Sequence, residues 1–304
     1  MTAMDRPAVG LLYNPATPLL IARAPALIEY LAVMPDRLWY DFGPGGGGGR
    51  RFHRTLGAID ELRRCAEGRT IAGHGIGLSL PSAIPLDLEF VDAVSDIARE
   101  LGFAWFSEHL SVFITPRGSV PNAQAGLGLP VAYDDETYAI VASKAGQLRN
   151  ALGCPIALET GAFFTPLTDL DMSEAQFLNR LHAAGRCETL LDLHNIHVNE
   201  RNGGQKADDY IAELNPEAVV EIHLGGGDDF AGFYMDSHSS LTPPEVWRLA
   251  FDHAGRFPNL RAITFEFQET YYQDLEAGLV AEIERMHELA EASAREPVRL
   301  ARAG

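Results

Sequence analysis

Lysine is nearly absent: among 24 basic side chains only Lys144 and Lys206 are lysines. Neither stands where a strand is predicted to end, which argues against Schiff-base chemistry. Cysteine is sparse too. Cys65, Cys154 and Cys187 lie far apart with no C-x-x-C spacing. That argues against a thiolate-held zinc and for reduced thiols in a cytoplasmic protein. No run of about 18 apolar residues occurs, so no membrane-spanning helix is expected. Residues Met1 to Pro7 lack the basic-then-apolar pattern of a secretory signal. Positive charge is in deficit, with 42 acidic residues and a formal net charge of -18. Such a chain repels a phosphate backbone, so nucleic acid is not an expected partner. The first predicted strand is followed by Tyr13-Asn14-Pro15, not a glycine-rich phosphate turn, which disfavours an open doubly wound sheet. The Gly43–Gly49 run lacks a phosphate loop's Lys-Ser/Thr ending and reads as a mobile loop.

What is present is a regular succession of short apolar runs in a chain that is 46% hydrophobic. Eight of them read as strands: Ala8–Asn14, Tyr30–Pro35, Thr70–His74, Phe103–His109, Pro155–Glu159, Thr189–Asp192, Ala218–His223 and Ala262–Glu266. Most are apolar on both faces, as parallel strands buried on both sides should be. Helical patterns fall between them. Leu88, Val91, Val94, Ala98 and Leu101 share one face of a helix over Leu86–Leu101. Asp134 and Asp135 cap a helix running to Leu152, stopped by Gly153. Ser173 and Gln176 form a capping box, Thr242-Pro243 opens a helix closed by Gly255, and Tyr272–Ala292 supplies the last one. Strands alternating with helices predict a (β/α)8 TIM barrel. Residues 1–294 are read as a single barrel domain and 295–304 as a flexible tail.

In such a barrel chemistry gathers at the C-terminal ends of the strands. Six consecutive strand ends carry donors: His74, His109, Glu159, Asp192 with Asn195 just beyond, His223 followed by Asp236 and His238, and Glu266. Four of the ten histidines fall in this set. Unneutralised carboxylates in one mouth would repel each other and protonate, a penalty that cations remove. Imidazole with carboxylate suits iron, zinc or manganese. Nine donors exceed the needs of one ion, so two or three ions with a bridging carboxylate are expected. His194, sharing strand parity with Asp192, is a candidate supporting residue behind the ligands. Glu108 is expected to face away from His109, in a packing or ion-pair role.

The stretches His74-Gly75-Ile76-Gly77-Leu78-Ser79-Leu80, Ser107-Glu108-His109-Leu110, Leu158-Glu159-Thr160, Asp192-Leu193-His194-Asn195, Glu221-Ile222-His223-Leu224, Asp236-Ser237-His238 and Phe265-Glu266-Phe267 occur in this order. Together they resemble the multinuclear non-haem iron-dependent oxidative enzymes, the family that includes the methanobactin-biosynthesis oxidase. The donor order is also similar to that of apurinic endonuclease IV, where a histidine matches Asn195; asparagine there favours the oxidative family. The resemblance implies a barrel of the xylose-isomerase type. It implies two to three irons of mixed Fe(II)/Fe(III) state, with dioxygen as co-substrate. The implied activity is oxidation of a ribosomally synthesised precursor peptide, often at cysteine. A small partner protein that presents the peptide is implied as well. His74, His109 and Glu159 would hold one ion. Glu159 would bridge to a second held by Asp192, His223 and Glu266, and Asn195, Asp236 and His238 would hold a third. The alternative is a trinuclear zinc or manganese phosphodiesterase, or a sugar isomerase, on the same barrel.

Overall fold

A computed structural model describes residues 6–117, 120–165 and 170–295. Eight parallel strands close into a barrel: β1 (Ala8–Leu12), β2 (Tyr30–Val33), β3 (Thr70–Gly75), β4 (Phe106–His109), β5 (Ile156–Glu159), β6 (Glu188–Asp192), β7 (Val219–Leu224) and β8 (Ala262–Phe265). Each lies within, or one residue beyond, an apolar run read as a strand. Strand β4 is shorter than its run, although Ala104 N–H already donates to Ile71 O and Trp105 O accepts from Gly73 N–H.

Helices cover the outside: α1 (Thr17–Arg23), α2 (Leu56–Ala66), α3 (Leu88–Leu101), α4 (Asp135–Leu152), α5 (Glu174–Ala183), α6 (Leu193–Arg201), α7 (Ala207–Glu213), α8 (Pro244–His253) and α9 (Tyr272–Arg295). Their ends follow local chemistry. Asp87 caps α3 by accepting from Phe90 N–H, so the helix starts at Leu88 and not Leu86. Asp134 caps α4, and Gly153 ends it in the left-handed conformation at φ 71°. The Ser173/Gln176 capping box forms in both directions. Helix α8 gives way to a 3-10 turn at Ala254–Arg256, just short of the predicted stop at Gly255.

Three hairpins are inserted after barrel strands, at Trp39–Asp41/Phe52–Arg54, Val112–Arg117/Val120–Leu129 and Asp228–Phe230/Phe233–Met235. The Gly43–Gly49 run forms the tip of the first, where Gly43, Gly45, Gly48 and Gly49 all take positive φ. Residues 296–304 lie outside the described residues.

The main core lies between sheet and helices. The barrel interior is narrower and mixed. Ala8, Ala32, Ala72 and Ala262 leave room there for Tyr30 and Trp105, whose rings stack at 5.3 Å. Side chains two residues further along the same faces, among them His74, Ser107 and Thr264, point the same way, toward the mouth. Register then decides neighbours: His109 pairs with Glu159, Asp192 with His223, and His74 with Ser107.

Candidate metal centre

The mouth gathers six of the nine predicted donors into overlapping groups. Ligating atoms of His74, His109 and Glu159 all lie within 4.8 Å of one another, and so do those of Glu159, Asp192, His223 and Glu266. A third group, His74, His223 and Glu266, overlaps both. Glu159 is common to the first two and is 1% exposed. Its Oε2 lies 3.1 Å from His109 Nε2 and 3.5 Å from His74 Nε2; its Oε1 lies 3.8 Å from His223 Nδ1. On the outer side His238 Nε2 sits 2.9 Å from Asp236 Oδ1 and 3.1 Å from Glu266 Oε2. His238 holds a positive φ of 52°, a strained setting for a non-glycine residue. The Asn195 amide nitrogen donates to Thr160 O at 3.1 Å and Glu159 Oε1 at 3.4 Å, which puts it beside the Glu159 carboxylate.

Four buried polar atoms of this cluster have no hydrogen-bond partner among the described residues: Glu159 Oε2, Asn195 Oδ1, His223 Nδ1 and Glu266 Oε1. His223 Nδ1 and Glu266 Oε1 are 3.1 Å apart yet not aligned as donor and acceptor. Lone pairs that converge without bonding one another are what a cation requires, and leaving them so without one is costly. The nitrogen and oxygen donor set, with no sulfur, fits iron, zinc or manganese.

Charge tells the same story. Burial pushes the Glu159 carboxyl well up, with the negative charges of Glu266 and Asp192 adding to it. Burial, then Asp236 and Glu266, push Asp192 up to about 6. Burial works to lower both His223 and His238, but facing carboxylates outweigh it: Glu266 and Glu221 raise His223, and Asp236 with Glu266 raise His238 to about 10. His74 moves the other way, held low by burial and by the neighbouring His109 and His223. Crowded together, these groups push one another away from their ordinary values, a mutual penalty that a cation would relieve.

The outer nitrogen of each inner histidine is fixed. His109 Nδ1 donates to Gly75 O at 3.0 Å, since a carbonyl only accepts, and Nε2 is left facing Glu159. Ser107 donates its hydroxyl to Gly73 O and accepts from His74 Nδ1 at 2.8 Å. His223 Nε2 donates to Glu221 Oε1 at 3.0 Å. Neither Ser107 nor Glu221 stands out as a site residue when strand ends alone are inspected. The available signal is parity: each precedes a donor by two residues, so it shares that donor's inward face.

His194 sits behind Asp236, and strand parity is not what puts it there. Asp192 accepts from Asn195 N–H at 2.7 Å and caps α6, so the chain is already helical at Leu193. The first turn of α6 directs buried His194 Nδ1 to Asp236 Oδ1 at 2.9 Å. Glu108 faces away from His109, as parity requires, and accepts from Leu78 N–H. Among the described residues it has no basic partner. Burial and the nearby Asp36 carboxyl push it up instead.

A closed parallel barrel with imidazole and carboxylate donors at its mouth places the protein among the xylose-isomerase-like TIM barrels. The fold is similar to that of a xylose isomerase domain protein from Planctomyces limnophilus (TM-score 0.58, 14% identity, covering 95% of this chain and 98% of that one). It is likewise similar to endonuclease IV from Thermus thermophilus (TM-score 0.56, 16% identity, 93% and 100%). Sequence narrows the class. The profile of the RiPP precursor modification enzymes MbnB/TglH/ChrH matches residues 49–291, and the chain belongs to that family. It is 33% identical over 226 residues to a UPF0276 protein of Chromobacterium violaceum, covering 74% of this chain and 78% of the relative. A UPF0276 protein of Caulobacter vibrioides is 30% identical over 237 residues, 78% of each chain.

Proposed function

We propose that this protein is a multinuclear non-haem iron enzyme that uses dioxygen to oxidise a ribosomally synthesised precursor peptide at a cysteine. The observation that carries the reading is the pair of donor groups sharing Glu159, whose members include buried atoms left without a hydrogen-bond partner. His74, His109 and Glu159 would hold one iron; Glu159, Asp192, His223 and Glu266 would hold a second. Asn195, Asp236 and His238 would hold a third, Asn195 through its unpartnered Oδ1. When bound, the irons supply the one-electron chemistry and dioxygen affinity that protein side chains lack.

The chain's own residues supply geometry. Gly75 O, Ser107 and Glu221 each accept a hydrogen bond from one ring N–H, so the opposite lone pair faces inward. The buried side, with Glu159, Asp192 and His223, excludes water. The open side is lined by His109, Asp236 and His238, whose side chains are about one-fifth exposed, and there the peptide thiol would enter. A small partner protein presenting the peptide and a cytoplasmic location complete the reading. Cys65, Cys154 and Cys187 are unpaired and buried, which accords with a reducing compartment. No described helix is long and apolar enough to cross a membrane.

Anaerobically purified protein is expected to contain two to three irons per chain and to take up dioxygen when its peptide is supplied. His238→Ala is expected to lose metal and activity together. Full activity in a metal-free preparation would sink the proposal. Colourless, zinc- or manganese-loaded protein that acts without oxygen uptake would favour the second reading, a phosphodiesterase or sugar isomerase, which the same donor chemistry allows.

A further inference from the structure

Below the metal donors, inside the barrel, lies a carboxylate that ligates nothing in the cluster. Glu221 is fully buried, and four donors converge on it. Its Oε2 accepts from Trp105 Nε1–H at 2.7 Å. Its Oε1 accepts from Tyr30 O–H at 2.9 Å, from Thr264 Oγ1–H at 2.8 Å and from His223 Nε2–H at 3.0 Å. The first three come from β2, β8 and the entry to β4, so the barrel wall itself locks the carboxylate in place. Each of its oxygens thus accepts from the surrounding wall, and of the four donors only His223 also belongs to the donor cluster.

The other inner histidines are backed differently. Neutral Ser107 stands behind His74 and a neutral carbonyl behind His109. Of these three, only His223 has a carboxylate side chain behind it. An anion on the far nitrogen fixes the tautomer and raises the basicity of the near one. We propose that Glu221 is a positioning residue for the metal cluster, keeping the proton on His223 Nε2 and aiming a strengthened Nδ1 lone pair at the ion shared with Glu159, Asp192 and Glu266. The inference rests on the metal-centre reading above and adds an asymmetry to it. The His223-held ion depends on Glu221, and the ion on His74, His109 and Glu159 does not.

The test is anaerobic titration of metal-free protein with Co(II), followed by its visible d–d absorption and by bound-metal counts. Wild-type protein that binds no Co(II) would remove the cluster reading itself. With wild-type binding established, Glu221→Gln is expected to weaken one ion by about 10- to 100-fold and to change its band, leaving another ion at wild-type affinity. Unchanged titration, or equal weakening of every ion, would overturn the assignment, because the second result describes a general packing defect. Should Glu221→Gln fail to fold by circular dichroism, the double variant Tyr30→Phe/Thr264→Val decides. It removes two of the fixing donors while keeping the charge. Weakening confined to one ion supports the role, and wild-type titration or uniform weakening overturns it.

Discussion

At the scale of single residues, burial explains which side chains act and which are withheld. The thiols are withheld. Burial pushes Cys154 up to about 11 and Cys187 up to about 12, so neither supplies thiolate at neutral pH. A disulfide reagent is expected to modify these two only as fast as the protein unfolds, measured as thiol release with and without denaturant. Lys144 is a buried cation whose Nζ donates to Ser82 O at 2.5 Å and Ile84 O at 2.7 Å, tying α4 to the loop after β3. Burial lowers its pKa from 10.5 to about 8. Between those values the unfolded chain binds the proton and the folded one does not. Stability is therefore greatest above the unfolded value and is lost as pH falls through the folded one. Relative to Lys144→Met, the wild type is expected to gain stability as pH rises from 8 to 10, by urea denaturation.

Elements show how short local signals place distant chemistry. Ser173 closes its capping box before α5, and Ser173→Ala is expected to cost about 1 kcal/mol in chemical denaturation without altering metal content. The loop after β7 is more exacting. A Cβ on Gly227 would lie 1.9 Å from Met235 O, inside the hairpin that leads directly to Asp236. The obstacle is space against backbone, which a rotamer change cannot relieve. Gly227→Ala is expected to displace Asp236 and His238 and to reduce bound metal, while far-ultraviolet circular dichroism keeps the barrel signature.

For the whole molecule, the donors impose a conflict that the fold accepts. Glu159, Asp192, Asp236 and Glu266 crowd one end of the barrel in a chain whose net charge is -18. Packing elsewhere must hold them together whenever cations are missing. A ligand that binds only the folded state stabilises it by mass action, about 4 kcal/mol at a thousandfold excess over its dissociation constant. Chelation is therefore expected to lower the melting temperature, and readdition of Fe(II) under anaerobic conditions to restore it. A calcium or magnesium refill that restored it equally well would contradict the nitrogen-rich donor set.

Legibility followed the range of the interaction concerned. All eight strands and the caps at Asp134, Gly153 and Ser173 could be read from the chain, since each depends on residues a few positions apart. So could the gathering of His74, His109, Glu159, Asp192, His223 and Glu266, because a strand end is a local feature and the barrel brings its strand ends to one mouth. The inserted hairpins were not legible, nor was the helical turn that carries His194. Their signals are short and compete with ordinary loop composition. The supporting partners were out of reach for another reason. That Ser107 backs His74, that Glu221 backs His223, and that Asn195 lies beside Glu159 depend on register between neighbouring strands and on contacts across the closed barrel. The linear chain determined which chemical groups would meet at one opening. Closure of the sheet decided which of them touch, because distance in space across a barrel bears no fixed relation to distance along the chain.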